Sequence, residues 1–330
     1  MRIAAAGLAL IAVLAAACTE ARAQDKAQRI YMVTWRGVTD VERGFQNYLS
    51  ERGIKTEYIV RDAGQDPGKL PGFVAEIKRL RPDLVYTWGT TATLGIAGSV
   101  DDVDSTRHVT DIPIVFTLVA APLGARLVKS AKASGRNLTG VSHVADIRAQ
   151  LAAIRAYRPF RRLGVLYNAA EENSQAGVRA LREQARSESF ELIERTFATD
   201  AQGKPVAAGI EALVHALKAA GAEWLYLGPD SFLFTQIGRV AASARAARLP
   251  TFATTQAVAD APGVLMGLVS NYVSVGQFTA YKAEKILRGA PPQAIPVETL
   301  ARFSLVVQME AARELDFLPP LAMFNYAEIR

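Results

Sequence analysis

The residues best placed to do chemistry are small and polar, and each group follows a short apolar run. Trp88-Gly89-Thr90-Thr91 closes the run 84–88 and opens a helical pattern. A Thr at a helix start leaves free backbone N–H groups beside it, and these attract an anion such as a carboxylate. Asp230 follows Leu227-Gly228-Pro229 at the end of another run and is the best candidate partner for a ligand ammonium. Further polar or aromatic groups stand at run ends: Trp35 and Arg36 in Thr34-Trp35-Arg36-Gly37, Asn168, Asn173-Ser174, Thr254, and Asn271-Tyr272. Val119 ends the run 112–119. Two helix starts facing one another would suit a carboxylate, one at Thr90 and Thr91, the other at Ser174. Each group also has a plain structural reading. Thr90, Ser174 and Asp230 can be simple helix caps, and Trp35 and Trp88 can be core residues.

The elements that must position these groups follow from the pattern of the chain. Runs rich in Val, Ile, Leu and Tyr at 29–35, 55–60, 84–88 and 112–119 alternate with helical periods. The pattern restarts after residue 141, with strands at 163–167, 191–197, 224–228 and 251–253. Helices are expected at 147–157, 174–187, 206–220 and 232–247. Continuous apolar strands joined by helices imply parallel sheets covered on both faces. The expected fold class is therefore α/β, with two doubly wound parallel-sheet lobes and a cleft between them. Open parallel sheets bind ligands outside the carboxyl ends of their strands, so the polar run ends face the same cleft.

Composition excludes several classes. At 330 residues the chain is longer than one core usually serves. Lys and Arg exceed Asp and Glu by 38 to 32, but the basic residues are scattered over helix faces, which argues against a nucleic-acid partner. The three histidines, at 108, 143 and 215, lack metal-ligand spacing, and the one cysteine, Cys18, allows neither an internal disulfide nor a cysteine metal cluster. No metal and no cofactor are expected. There is no G-x-G-x-x-G after the first strand, no phosphate-binding G-x-x-x-x-G-K-[ST] loop and no G-x-S-x-G elbow, so an enzyme is not expected.

The first 23 residues read as a leader. Arg2 precedes an apolar run from residue 3 to 17, short for a membrane span. Leu14-Ala15-Ala16-Ala17-Cys18 reads as a lipobox, which makes Cys18 the lipidation site; cleavage after Ala21-Arg22-Ala23 is the rival reading. Either places the protein in the periplasm or otherwise outside the cytoplasm, with a lipid anchor as its one possible membrane contact.

The chain also resembles a known family, the ABC transporter substrate-binding proteins that include tryptophan-binding lipoproteins. The resemblance runs from about residue 29 to 319. It rests on the order of Trp88-Gly89-Thr90-Thr91-Ala92, Asp111-Ile112-Pro113-Ile114-Val115-Phe116, Gly135-Arg136-Asn137-Leu138-Thr139-Gly140-Val141-Ser142, Leu166-Tyr167-Asn168, Glu172-Asn173-Ser174, Asn271-Tyr272, Ile286-Leu287-Arg288-Gly289 and Ile295-Pro296-Val297-Glu298. One departure stands out. Where the family often has Asp-Pro-Val after the fourth strand, this chain has Ala120-Ala121-Pro122-Leu123. The resemblance implies the type I periplasmic binding protein fold, in which the chain crosses between lobes three times. Lobe one would hold 29–142 and 273–296, with a helix at 276–287 packed on it. Lobe two would hold 143–272 and 297–320, leaving 321–330 as a tail. The resemblance together with the charge pattern implies an amino acid or related carboxylate as the solute, held with its carboxylate at Thr90, Thr91 and Ser174 and its ammonium at Asp230. The expected partners are that solute and the permease subunits of an ABC transporter, with the binding protein itself a monomer. The alternative is a ligand-sensing receptor domain that signals through a partner protein without transport.

Overall fold

The computed structural model describes residues 27–330. The leader and Cys18 lie outside the described residues. The chain builds one sheet, then a second, and returns to each. The first run is β1 (Gln28–Thr34), α1 (Asp40–Glu51), β2 (Thr56–Asp62), α2 (Leu70–Leu80), β3 (Leu84–Trp88), α3 (Gly89–Ala97), β4 (Ile114–Thr117) and β5 (Leu138–Ser142). The second run is α4 (Ile147–Tyr157), β6 (Arg162–Tyr167), α5 (Glu172–Glu188), β7 (Glu191–Thr196), α6 (Ile210–Ala219), β8 (Trp224–Leu227), α7 (Ser231–Thr235), α8 (Ile237–Ala246), β9 (Thr251–Ala253), α9 (Gln256–Ala259) and β10 (Met266–Val269). The return supplies α10 (Tyr272–Leu287), β11 (Glu298–Thr299), β12 (Ser304–Val307), α11 (Met309–Glu314) and β13 (Glu328–Ile329).

The first sheet runs β11-β5-β4-β3-β1-β2 and is parallel throughout. Its four inner strands, β5, β4, β3 and β1, are nearly all buried, which is why they read as continuous apolar runs rather than alternating ones, while the edge strands β2 and β11 are not. Tyr31, Val33, Val85 and Phe116 fill one face; Ile30, Met32, Tyr86 and Val115 fill the other. The second sheet runs β13-β12-β10-β9-β8-β6-β7, parallel except where β12 meets β10. Its faces are filled around Leu163, Val165 and Trp224 on one side and Leu166, Leu225 and Val306 on the other.

Helix starts are specified locally. In α1 the Thr39 hydroxyl accepts from the Val41 N–H at 3.3 Å, and the Thr39 N–H donates to Glu42 Oε2 at 2.7 Å, closing a capping box. α10 lies on the first sheet: the Thr279 hydroxyl bonds Thr117 Oγ1 at 3.0 Å, and the Tyr48 hydroxyl donates to Glu284 at 2.9 Å. The approach of α10 to α1 needs glycine on both sides. A Cβ on Gly276 would meet the Val41 carbonyl oxygen at 2.0 Å, and one on Gly44 the Val273 oxygen at 2.3 Å.

Several boundaries differ from the sequence expectation. The stretch 232–247 is two helices, because Gln236 leaves helical geometry at φ −107, ψ 9. β11 pairs with β5, so the last return to the second sheet follows Thr299 rather than Val297. The segment 321–330 is not a loose tail: β13 pairs with β12, and the Met323 side chain is fully buried. The strand is two residues long, too short to read as an apolar run, and Pro319-Pro320 just before the segment mark a break in the pattern.

Candidate functional site

The carboxyl ends of both sheets face one cleft. Its lining comes from the β1–α1 loop (Trp35, Arg36), the β3–α3 junction (Trp88 to Thr91), the segment after β4 (Leu118, Ala120), the crossing residue His143, the β6–α5 loop (Glu171, Asn173), the β8–α7 turn (Pro229 to Ser231, Phe234) and Thr255, Val258 and Tyr272. The free space between them is about 60 Å³, small beside the roughly 300–1,000 Å³ of ordinary small-molecule sites, so the lobes stand close together here. The lobes touch across it. The Trp35 indole N–H donates to Ser231 Oγ at 3.1 Å, and the Ser231 hydroxyl in turn donates to Glu171 Oε1 at 2.6 Å. The Arg36 guanidinium stacks 3.7 Å from the Phe234 ring centroid of the other lobe and 5.0 Å from Trp88 of its own.

Charge is divided between the two walls. On the first lobe, α3 begins without a side-chain cap, so its first N–H groups are left open at the cleft. Gly89 permits this start: it sits at φ +78, which only glycine adopts at little cost. Arg36 lies beside that helix end, and burial lowers its pKa although an arginine stays charged. Among the described residues no carboxylate forms an ion pair with Arg36. The second lobe carries the opposite sign. Glu171 accepts from the Ser231 N–H at 2.8 Å, yet burial and the neighbouring Asp230 charge push its pKa up to about 7. Asp230 is 7% exposed and is raised as well, chiefly by burial. Two acids with raised pKa, and no cation paired with them among the described residues, form a ready seat for a positive group.

Unused hydrogen-bonding groups converge on the same space. Five buried side-chain polar atoms among the described residues have no partner within the protein, and four of them belong to the lining: Trp88 Nε1, Thr90 Oγ1, His143 Nδ1 and Asn173 Oδ1. Native proteins leave few such atoms, so these four take their partners from a ligand or from ordered water in the cleft. The Asn173 amide is oriented by its own Nδ2, which donates to the Pro229 carbonyl at 2.7 Å, and this leaves Oδ1 as a free acceptor. The cleft floor also holds Leu118 at φ +52, an uncommon conformation for a branched residue.

The expected site residues divide accordingly. Trp35, Arg36, Trp88, Gly89, Thr90, Thr91, Asn173, Asp230 and Tyr272 line the cleft. Five do not, each for a local reason. Asn168 turns its Oδ1 to the Ala170 N–H at 3.0 Å. Ser174 donates its hydroxyl to Asp230 Oδ2 at 2.5 Å, so it is not free for a carboxylate. Thr254 is fully buried and donates to the Leu227 carbonyl at 3.2 Å, and its neighbour Thr255 takes the cleft position. Asn271 is exposed and caps α10 by accepting from the Ser274 N–H at 3.0 Å. Val119 is core, and Leu118 and Ala120 face the cleft instead. Asp230 itself is heavily used: it accepts from the Leu233 N–H at 2.8 Å as a helix cap, and from the Asn168 N–H at 2.6 Å. Its carboxylate is thereby largely occupied; Glu171 also accepts from the Ser231 N–H and hydroxyl but is the less buried of the two acids. Sequence reading missed Glu171, His143, Ser231 and Phe234. Glu171 stands one residue before the quoted Glu172-Asn173-Ser174, and its place before a helix start was the available signal.

Comparison with known proteins agrees with this architecture. The family described as ABC transporter substrate binding protein matches residues 30–328. The chain belongs to that family. It is 23% identical over 303 residues to a tyrosine-binding protein of Clostridioides difficile, spanning 90% of this chain and 83% of that one. Among solved structures it resembles a conserved domain protein from Vibrio cholerae (TM-score 0.80, 23% identity, 92% of this chain and all of that one). It also resembles an ABC domain in complex with L-Trp from Streptococcus pneumonia (0.78, 22%, 92% and 100%). A third is the ligand-free, open form of a substrate-binding protein with adhesive properties from Clostridium difficile (0.69, 22%, 92% and 99%). The fold is that of the type I periplasmic binding proteins. Substrate-binding proteins of ABC transporters take a small-molecule ligand outside the cytoplasm. Among the described residues no helix is long and apolar enough to cross a membrane.

Proposed function

We propose that the chain captures a free amino acid through its two charges and delivers it to the permease subunits of an ABC transporter. The observation that carries this reading is the division of charge across the cleft. The carboxylate would sit against the open N–H groups of α3, the Thr90 hydroxyl and Arg36. The ammonium would sit between Glu171 and Asn173 Oδ1, with Asp230 behind them. A half-buried guanidinium is costly without an anion, and the half-buried Glu171 beside the buried Asp230 is costly without a cation. A zwitterion answers both at once, where a simple acid or amine answers one. The aromatic part of the lining, Trp35, Trp88, Phe234 and Tyr272, supports an amino acid with a sizeable apolar or aromatic side chain. The relatives named for tyrosine and bound to L-Trp support the same class.

Delivery works through closure. The ligand bridges two lobes joined by three crossings, so it shifts an open–closed equilibrium toward the closed form. The Trp35–Ser231 bond and the stacking of Arg36 on Phe234 are contacts that a closed form gains. Lipidation at Cys18 would keep the loaded protein near its permease. A thermal-shift screen of the free amino acids, followed by solution scattering with the best of them, tests the proposal. The expected results are a raised melting temperature for one group of amino acids and compaction at saturation. A flat screen would remove the ligand class, and identical scattering profiles would remove closure.

A further inference from the structure

His143 is used by nothing in the protein's own hydrogen bonding at Nδ1, yet it stands on the floor of the cleft. Its backbone is fixed. It follows Ser142, the last residue of β5, and its carbonyl accepts from the Ser270 hydroxyl at 2.7 Å, where β10 hands over to α10. Two of the crossings between lobes are therefore tied together at this residue. The ring is 5% exposed and meets Tyr272 edge-on, with centroids 6.5 Å apart and planes at 74°. Burial, with the Arg36 charge adding to it, pushes its pKa down to about 3, so the imidazole is neutral throughout the physiological range. A neutral imidazole offers one N–H and one lone pair, and it can pair with a hydroxyl in either sense.

On the proposed reading, the two charged ends of the ligand are met by Arg36 with the α3 amides and by Glu171 with Asn173. The unpartnered buried atoms then left in the lining are His143 Nδ1 and Trp88 Nε1, beside apolar Leu118 and Val258 and polar Gln65 and Thr255. We propose that His143 determines specificity at this cleft by hydrogen-bonding a polar group on the ligand's side chain, so that a hydroxyl-bearing aromatic amino acid is preferred to its plain hydrocarbon analogue. This rests on the amino-acid reading above and adds the residue that discriminates. A site built to bond a hydroxyl rejects the analogue without it because its own buried polar group is then left unpaired.

L-Tyrosine and L-phenylalanine differ by that hydroxyl alone, and calorimetric titration of both against the wild type, His143→Phe and His143→Gln tests the proposal. The wild type should favour tyrosine by about 5-fold or more, the low end of what an unpaired buried group costs. His143→Phe should lose that preference by weakening tyrosine, with phenylalanine changed little. His143→Gln, which keeps a donor and an acceptor, should retain part of it. Thermal melting of each variant confirms that it is folded; if His143→Phe is not, His143→Leu carries the same comparison. Preference surviving in the apolar variant, or equal weakening of both ligands, overturns the role of His143 and leaves the amino-acid reading standing. Equal affinity of the wild type for both ligands does the same. Failure of the folded wild type to bind either overturns the inference together with the aromatic amino-acid class.

Discussion

Replacing Glu171 with glutamine probes the negative wall while disturbing little else. The amide keeps an oxygen that can accept from the Ser231 N–H, now accepted at 2.8 Å, so the loop should hold its shape. What disappears is the charge. Removing one member of a buried charge pair costs about 2–5 kcal/mol, so the zwitterion should bind roughly 30-fold more weakly or worse at high pH. The pH profile is the sharper readout. Burial and the Asp230 charge oppose the ionisation of Glu171 in the free protein and raise its pKa, and a ligand ammonium favours the ionised form. Binding therefore releases a proton, and affinity is full above pH 7 and falls as pH drops below it. Toward acid the proton must be expelled and binding weakens, whereas toward alkaline pH that cost vanishes. Glu171→Gln should be flat over the same window, so the two profiles converge toward acid. Calorimetry at several pH values, in buffers of different ionisation enthalpy, reads both affinity and proton release. Parallel profiles for the two proteins would refute the assignment of Glu171. The ligand-free protein carries the mirror image. A carboxyl whose folded pKa lies above its ordinary value destabilises the fold once ionised, so this contribution to stability declines as pH rises from about 4.3 through 7.

Asp230→Ala should act first on folding, since it leaves the Leu233 and Asn168 N–H groups and the Ser174 hydroxyl without their acceptor. A lost cap and two orphaned buried donors amount to roughly 3–5 kcal/mol in a denaturant titration, and unchanged stability would contradict that account. Gly276→Ala should force α10 from α1, because its Cβ would fall 2.0 Å from the Val41 oxygen; about 1–3 kcal/mol is expected, and an unaltered melting temperature would show that the helices separate freely. Cys18→Ala should move the protein from the membrane fraction to the soluble one, and an intact mass beginning at Gln24 without lipid would decide for the rival cleavage.

The fold was readable because both sheets are buried on two faces. Strands such as β3 and β8 are then continuous apolar runs, and helices such as α4 carry the expected period. The return of α10 to the first sheet came from resemblance, since nothing local in Tyr272–Leu287 says which sheet it covers. The cleft was readable only as a set of strand ends. Whether a polar residue there faces outward or bonds its own backbone depends on geometry a few ångströms in size: Thr254 turns inward to Leu227 while Thr255 lines the cleft, and Ser174 is taken by Asp230. Glu171 and His143 were missed because their importance lies in what surrounds them. The spacing of the three histidines excluded a metal site but said nothing of one buried ring with a free nitrogen.

The division of charge is the central claim, and one set of titrations tests it directly. L-Tyrosine, tyramine and 3-(4-hydroxyphenyl)propionate share the ring and hydroxyl; the second lacks the carboxylate and the third the ammonium. The account predicts that only the zwitterion binds well, with each single-charge analogue weaker by about 30-fold or more, the cost of leaving one buried charge unmatched. Either analogue binding as tightly as the amino acid would contradict it.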